Sequence, residues 1–291
     1  MFYQRYEIEK FLFIKHIKKM AQHVVLNNGV KMPVIGYGVY LVNPSECAKC
    51  VKEAIEVGYR KIDTAQYYGN EREVGEGIRL SKIPREQIFV TTKTQTSGYT
   101  STKRSIDESL RKFGFPYFDL ILIHWPMGDD IGSYKALEEA YKQGKCKAIG
   151  LSNFNERQFM EIYNNFQTKP AVNQIETHLY FNQKKMNKFL QKYNCVHESW
   201  SPFGGEGAKM LKNKTLINVA TKYGKTPAQI TLRYLLDLNI VVIPKTNHKN
   251  RMIENLNIFD FKLNEEDIKI LSSLDTGKGS SWPSTMREEF Y

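Results

Sequence analysis

Between residues 34 and 245 the sequence alternates eight times between a short apolar run and a longer stretch with one apolar face. The runs cover residues 34–40, 59–65, 88–93, 118–125, 147–153, 171–176, 196–201 and 240–245. The stretches between them place apolar residues at helical spacing: Ile106, Leu110 and Phe113 in one, Phe159, Ile162, Tyr163 and Phe166 in another, Met186, Phe189, Leu190 and Tyr193 in a third. Strands joined through helices run parallel, and eight such units spaced mostly at about 25–30 residues predict an α/β fold, a closed (β/α)8 TIM barrel. Ahead of it, Asn28-Gly29 between Val24-Val25-Leu26 and Lys31-Met32-Pro33 has the chemistry of an N-terminal β-hairpin, suited to cover the barrel's bottom. Behind it, Asn264 caps a last helix opening with Glu265, Glu266 and Asp267, and a short C-terminal tail follows.

No Pro-, Gly- or Ser-rich linker interrupts residues 34–272, so residues 20–291 read as one barrel. Residues 1–19 carry Phe11-Leu12-Phe13-Ile14 between Lys10, Lys15, Lys18 and Lys19; they read as an N-terminal extension, expected to be disordered, with Met20 as an alternative start. The net charge of +11 invites a nucleic-acid partner or a small anionic ligand. Its basic residues are scattered, without aromatic interleaving or zinc-finger spacing, which argues against nucleic acid. Cys47 and Cys50 form a C-x-x-C, yet with Val51, Ala54, Ile55 and Gly58 they follow one helical face, so they read as core residues and no metal site is expected. Four cysteines without a disulfide pattern suit a reducing, cytoplasmic setting, and no apolar run is long enough to span a membrane.

The chemistry-bearing residues gather at strand ends. The second strand ends at Asp63, with Tyr68 just beyond on a loop closed by Gly69-Asn70; the third ends at Lys93, the fourth at His124. Taken singly, each has an ordinary role: Asp63 as a loop cap, Lys93 as its stabilising partner, His124 as a satisfied core histidine. A carboxylate, a phenol, an ammonium and an imidazole on three adjacent strands converge on one rim of the barrel, where such folds keep their chemistry. No G-x-G-x-x-G follows any strand, so a dinucleotide would need a seat other than a Rossmann turn.

In residues 58–71, the Lys93 strand, Leu122–Pro126, Gly150–Phe154, Asn173–Glu176, Trp200-Ser201-Pro202 and Ile243-Pro244-Lys245 through Asn255, the chain resembles the aldo-keto reductases over residues 21–275. Its lean loops are most similar to the small aldehyde reductases, prostaglandin F synthases and diketogluconate reductases. The resemblance implies NADPH-dependent reduction of carbonyls, with Tyr68 giving a proton, Lys93 favouring the phenolate, Asp63 holding Lys93, and His124 orienting the carbonyl. It implies cofactor contacts at Ser152, Asn153 and Gln174 for the carboxamide, Trp200 against the nicotinamide, and Ser201 and Phe203 at the pyrophosphate. Lys245, Thr246 and Arg251 would take the 2′-phosphate, with Glu254 and Asn255 on the adenine side. Tyr40 and Trp125 would line the substrate pocket. The short segment from Met127 to Ser133 implies an open site for small aldehydes, and relatives make a monomer the expectation. Thr177 and Leu179, where Cys and Pro are common, and Asn247, where an apolar residue is frequent, depart from the pattern without touching the four rim residues. A cofactor-binding regulatory or structural module is the other class on this scaffold; it has no need for Lys93 beside Tyr68.

Overall fold

The computed structural model describes residues 22–279, and the expected extension over residues 1–19 lies outside the described residues. Asn28-Gly29 reverses the chain, Gly29 taking the positive φ of 86° that so tight a turn requires. β1 (His23–Val25) thereby pairs antiparallel with β2 (Lys31–Pro33). Two side-chain amides anchor the turn: Asn27 Nδ2 donates to the Pro170 carbonyl at 3.0 Å and Asn28 Nδ2 to that of Lys147 at 2.8 Å. Both carbonyls precede barrel strands, so the hairpin covers the barrel's N-terminal end, as the sequence predicts. Leu26 and Met32 fill that end against Phe89, Leu120, Leu122 and Val241.

The barrel strands are β3 (Tyr37–Gly38), β4 (Lys61–Asp63), β5 (Phe89–Thr94), β6 (Leu120–Ile123), β7 (Ile149–Ser152), β8 (Val172–Glu176), β9 (Val196–Trp200) and β10 (Val241–Val242). Each pairs in parallel with the next. The ring closes where Ile35 bridges Val242, the Gly36 amide donating to the Val242 carbonyl at 2.8 Å. The two seam strands are shorter than the apolar runs at 34–40 and 240–245. Pro244 has no N–H to extend the ladder, which thins out into single hydrogen bonds there.

The helices pack outside: α1 (Pro44–Val57), α2 (Glu71–Ser81), α3 (Tyr99–Phe113), α4 (Asp130–Lys142), α5 (Glu156–Asn165), α6 (Lys184–Lys192), α7 (Lys214–Tyr223), α8 (Pro227–Asp237), α9 (Lys249–Leu256) and α10 (Glu265–Ser272). α1 buries Cys47, Cys50, Val51, Ala54 and Ile55, the stripe expected of it, and all four cysteines are buried free thiols. Two helices, α7 and α8, fill the crossover from β9 to β10. α10 starts on Asn264, whose side chain accepts from the Asp267 amide at 2.8 Å, as predicted. Among the described residues no helix is long and apolar enough to cross a membrane.

Candidate active site

Strand β4 ends at Asp63, and the chain then makes one 3₁₀ turn, Gln66–Tyr68, closed by Gly69 at φ 67°. Asn70 fixes that turn from below: it accepts from Thr64 Oγ1 at 2.8 Å and donates to the Val39 carbonyl at 3.0 Å. Tyr68 is thereby held beside Lys93 and His124 at the strand ends. Lys93, on β5, donates to Asp63 Oδ1 at 2.6 Å, to the Thr64 carbonyl at 3.0 Å and to Tyr68 Oη at 3.3 Å. Three acceptors satisfy the three protons of a fully buried ammonium. Burial works against that charge, but Asp63 and Tyr68 outweigh it and the Lys93 pKa is raised. For Tyr68 the balance differs from the sequence expectation. Burial lifts the phenol above its ordinary range, and Lys93 offsets only part of the rise.

His124 follows β6, its ring 5.7 Å from that of Tyr68 and near-perpendicular to it. Burial, with the Lys93 charge added, pushes the imidazole down to about 3, so it is neutral over the working range. Its Nδ1 meets the side-chain amide of Gln95, 3.1 Å from Oε1. With the amide oxygen there, the ring proton sits on Nδ1 and Nε2 accepts. A half-turn of the amide exchanges nitrogen for oxygen at the same place and moves the proton to Nε2. Around these groups stand Tyr40, 4.9 Å from the Tyr68 ring, Trp125, 6.5 Å from His124, and Tyr67, 6.4 Å from His124. Tyr40 and Tyr67 are 43% and 58% exposed, a wet aromatic collar at the mouth.

The residues expected at the carboxamide meet at one place. Ser152 Oγ donates to the Gln174 carbonyl at 2.8 Å; Asn153, at φ 64°, donates to the His124 carbonyl at 2.9 Å and accepts from Trp200 Nε1 at 2.8 Å. That last bond pins the indole ring at the end of β9. Ser201 follows at φ 49°, and Phe203 packs partly buried against the outer core. Across the seam, Lys245 and Arg251 are exposed and carry no ion pair among the described residues. Thr246 is nearly buried, its carbonyl accepting from Tyr37 Oη at 2.8 Å. Arg251 lies in the first turn of α9; the helix start has no side-chain cap, and its first turn has no acidic residue. Glu254 accepts from Thr226 Oγ1 at 2.6 Å, and Asn255 is buried beside the Tyr59 hydroxyl. Thr177 and Leu179, the two departures after Gln174, are fully buried, while Asn247 is exposed.

Four polar residues of this region escaped the sequence reading: Gln95, Tyr67, Lys61 and Glu198. Lys61 lies two residues before Asp63 on β4, and Glu198 two before Trp200 on β9, so strand alternation turns each pair to the same face. That period was the available signal.

Residues 34–276 match the model of the Aldo/keto reductase family. The chain is 43% identical over 260 residues to the 9,11-endoperoxide prostaglandin H2 reductase of Trypanosoma cruzi, covering 88% of this chain and 92% of that protein. It is 41% identical over 256 residues to the glyoxal reductase of Bacillus subtilis, covering 87% and 92%. Among solved structures, the Bombyx mori aldo-keto reductase in complex with NADP superposes with a TM-score of 0.87 at 30% identity, covering 92% of this chain and 97% of that one. Barrel, hairpin and sequence agree, and the chain belongs to the aldo/keto reductase family.

Proposed function

We propose that this protein reduces small aldehydes and ketones to alcohols with NADPH, and that Tyr68 is the general acid. The observation that carries the reading is the Tyr68–Lys93–Asp63 chain, partly buried at Tyr68 and fully buried at Lys93 and Asp63, with neutral His124 beside it. NADPH, when bound, supplies the hydride; the protein's own task is to place the carbonyl and protonate its oxygen. Tyr68 keeps its proton until then, because burial disfavours the phenolate. The Lys93 ammonium, 3.3 Å away, stabilises the phenolate once the proton has left, and Asp63 holds Lys93 in that position. Donation from His124 to the carbonyl oxygen requires the Nε2–H tautomer, hence the Gln95 amide turned with nitrogen toward Nδ1. Tyr40, Tyr67 and Trp125 bound the approach, and an open, aromatic mouth favours small or flat carbonyl compounds.

The donor set suits NADPH. Lys245, Thr246 and Arg251 would hold the 2′-phosphate: two cations without an ion pair among the described residues, beside a helix start whose backbone N–H groups lack a side-chain cap, form an anion site. Ser152, Asn153 and Gln174 would hold the carboxamide, Trp200 would offer its face, Ser201 and Phe203 would flank the pyrophosphate, and Glu254 and Asn255 the adenine. The Bombyx mori relative, solved with NADP, supports this assignment. Buried free thiols fit work in a reducing compartment. A panel of small aldehydes assayed by loss of NADPH absorbance tests the reading. Turnover is expected with several of them, and none with any carbonyl compound would overturn it.

A further inference from the structure

The chain of contacts below Tyr68 does not end at Asp63. Asp63 Oδ2 accepts from Gln174 Nε2 at 2.8 Å, and the same nitrogen donates to Glu198 Oε2 at 2.8 Å. Glu198 turns its other oxygen to Lys61 Nζ, which also meets Met32 Sδ at 3.2 Å and stands 5.6 Å over the Phe89 ring. Paired groups therefore run down the barrel interior from Tyr68 at the mouth to Met32 of the hairpin. Lys61 and Glu198 are both fully buried. The Lys61 stem fills the space left by Gly36, where a Cβ would lie 3.0 Å from both Lys61 Cγ and Cδ. Gln174 and Glu198 face each other in the β8–β9 register, which brings them side by side on the inner face.

An amide has one donating end and one accepting end, and ionised carboxylates only accept. The end of Gln174 between Asp63 and Glu198 is therefore its NH2, and the two carboxylates use both of its protons. Without Glu198 one proton is orphaned in a dry interior, and rotation about the terminal torsion becomes the way to relieve it. Rotation would also release Asp63 Oδ2, and with it the direction in which Asp63 presents Oδ1 to Lys93. Lys61 balances the second carboxylate. Burial draws its ammonium down to about 7 against the pull of Asp63, with Lys93 adding to the fall.

We propose that Glu198 is a positioning residue of the active site, acting through Gln174 on Asp63, with Lys61 as its counter-ion. The proposal rests on the reading of Tyr68 and Lys93 given above.

Removing one charge alone would strand the other, so the test removes both. Lys61→Met/Glu198→Leu and Lys61→Met/Glu198→Gln are both neutral and similar in volume, a kind of exchange that buried ion pairs often tolerate. Only the second keeps an acceptor for Gln174. In the Leu variant we expect kcat to fall about tenfold and the NADPH Kd, read by tryptophan fluorescence, to weaken by roughly the same factor. In the Gln variant both should stay within about threefold of wild type, a loss of less than 1 kcal/mol. Equal values in the two variants, whether normal or impaired, would overturn the proposal. A Leu variant that fails to fold beside a folded Gln variant would make Glu198 a structural residue and overturn it too. The wild type gives a reading independent of any variant: the two Gln174 side-chain amide protons should be protected from exchange in NMR spectra, and free exchange would rule out the bridge. Wild-type turnover with NADPH, and its loss in Tyr68→Phe, report separately on the function itself.

Discussion

Lys61, Asp63, Lys93 and Glu198 lie inside the barrel at 1% exposure or less. Charges so placed persist only when each is paired and hydrogen-bonded, and here every one is. At this scale sequence reasoning found the residues that end strands and missed those one step deeper. Asp63, Lys93 and His124 stand out at the strand ends; Lys61 lies inside the 59–65 run, away from its end, and drew no role. Gln95 leaves no pattern, because its role depends on His124 arriving from another strand. The neutral His124 yields a prediction. With its imidazole held down to about 3, His124 should contribute no break to aldehyde reduction near the ordinary histidine value of 6.5. Profiles of kcat/KM between about pH 5 and 8 check this, the range in which an unperturbed histidine would titrate; a break there assigned to His124 by its loss in His124→Gln would contradict it.

Among the elements, those with strong local signals follow the sequence closely. The hairpin turn, the apolar stripe of α1 and the Asn264 cap of α10 depend on neighbours in the chain. Strand lengths at the seam do not, because the ladder needs a partner more than 200 residues away and Pro244 cuts it short. α9 is the element proposed to decide cofactor choice. Its uncapped start and Arg251 should read the 2′-phosphate that separates NADPH from NADH. A charge-assisted hydrogen bond of about 1.5–3 kcal/mol corresponds to about one to two decades in affinity. Arg251→Ala should therefore weaken NADPH about 10–100-fold and leave NADH nearly unchanged, as Kd values by tryptophan fluorescence would record. Equal losses for both cofactors would make Arg251 a support of the fold instead.

For the molecule as a whole, the buried His124 and His197 contribute to its response to acid. His124 and His197 are both pushed down to about 3 from 6.5, each by burial first. Below 6.5 the unfolded chain takes up protons that the folded one refuses. The stability they lend is thus complete above 6.5 and drains away as pH falls toward 3, at up to roughly 1.4 kcal/mol per pH unit for each. Urea midpoints should drop between pH 7 and pH 5, and His197→Gln should flatten that drop. An unchanged wild-type midpoint would mean that neither ring is held neutral.

Tyr68 is the proposed proton donor. Single-turnover reduction of a small aldehyde by the Tyr68→Phe enzyme, alongside its NADPH Kd, puts that role to the test. Only the hydroxyl is removed, so NADPH should bind within about threefold of wild type, under 1 kcal/mol, while turnover falls by about 10²–10⁴, the range for general acid catalysis. A variant keeping more than about a tenth of wild-type turnover, with NADPH bound normally, would show that the proton comes from elsewhere.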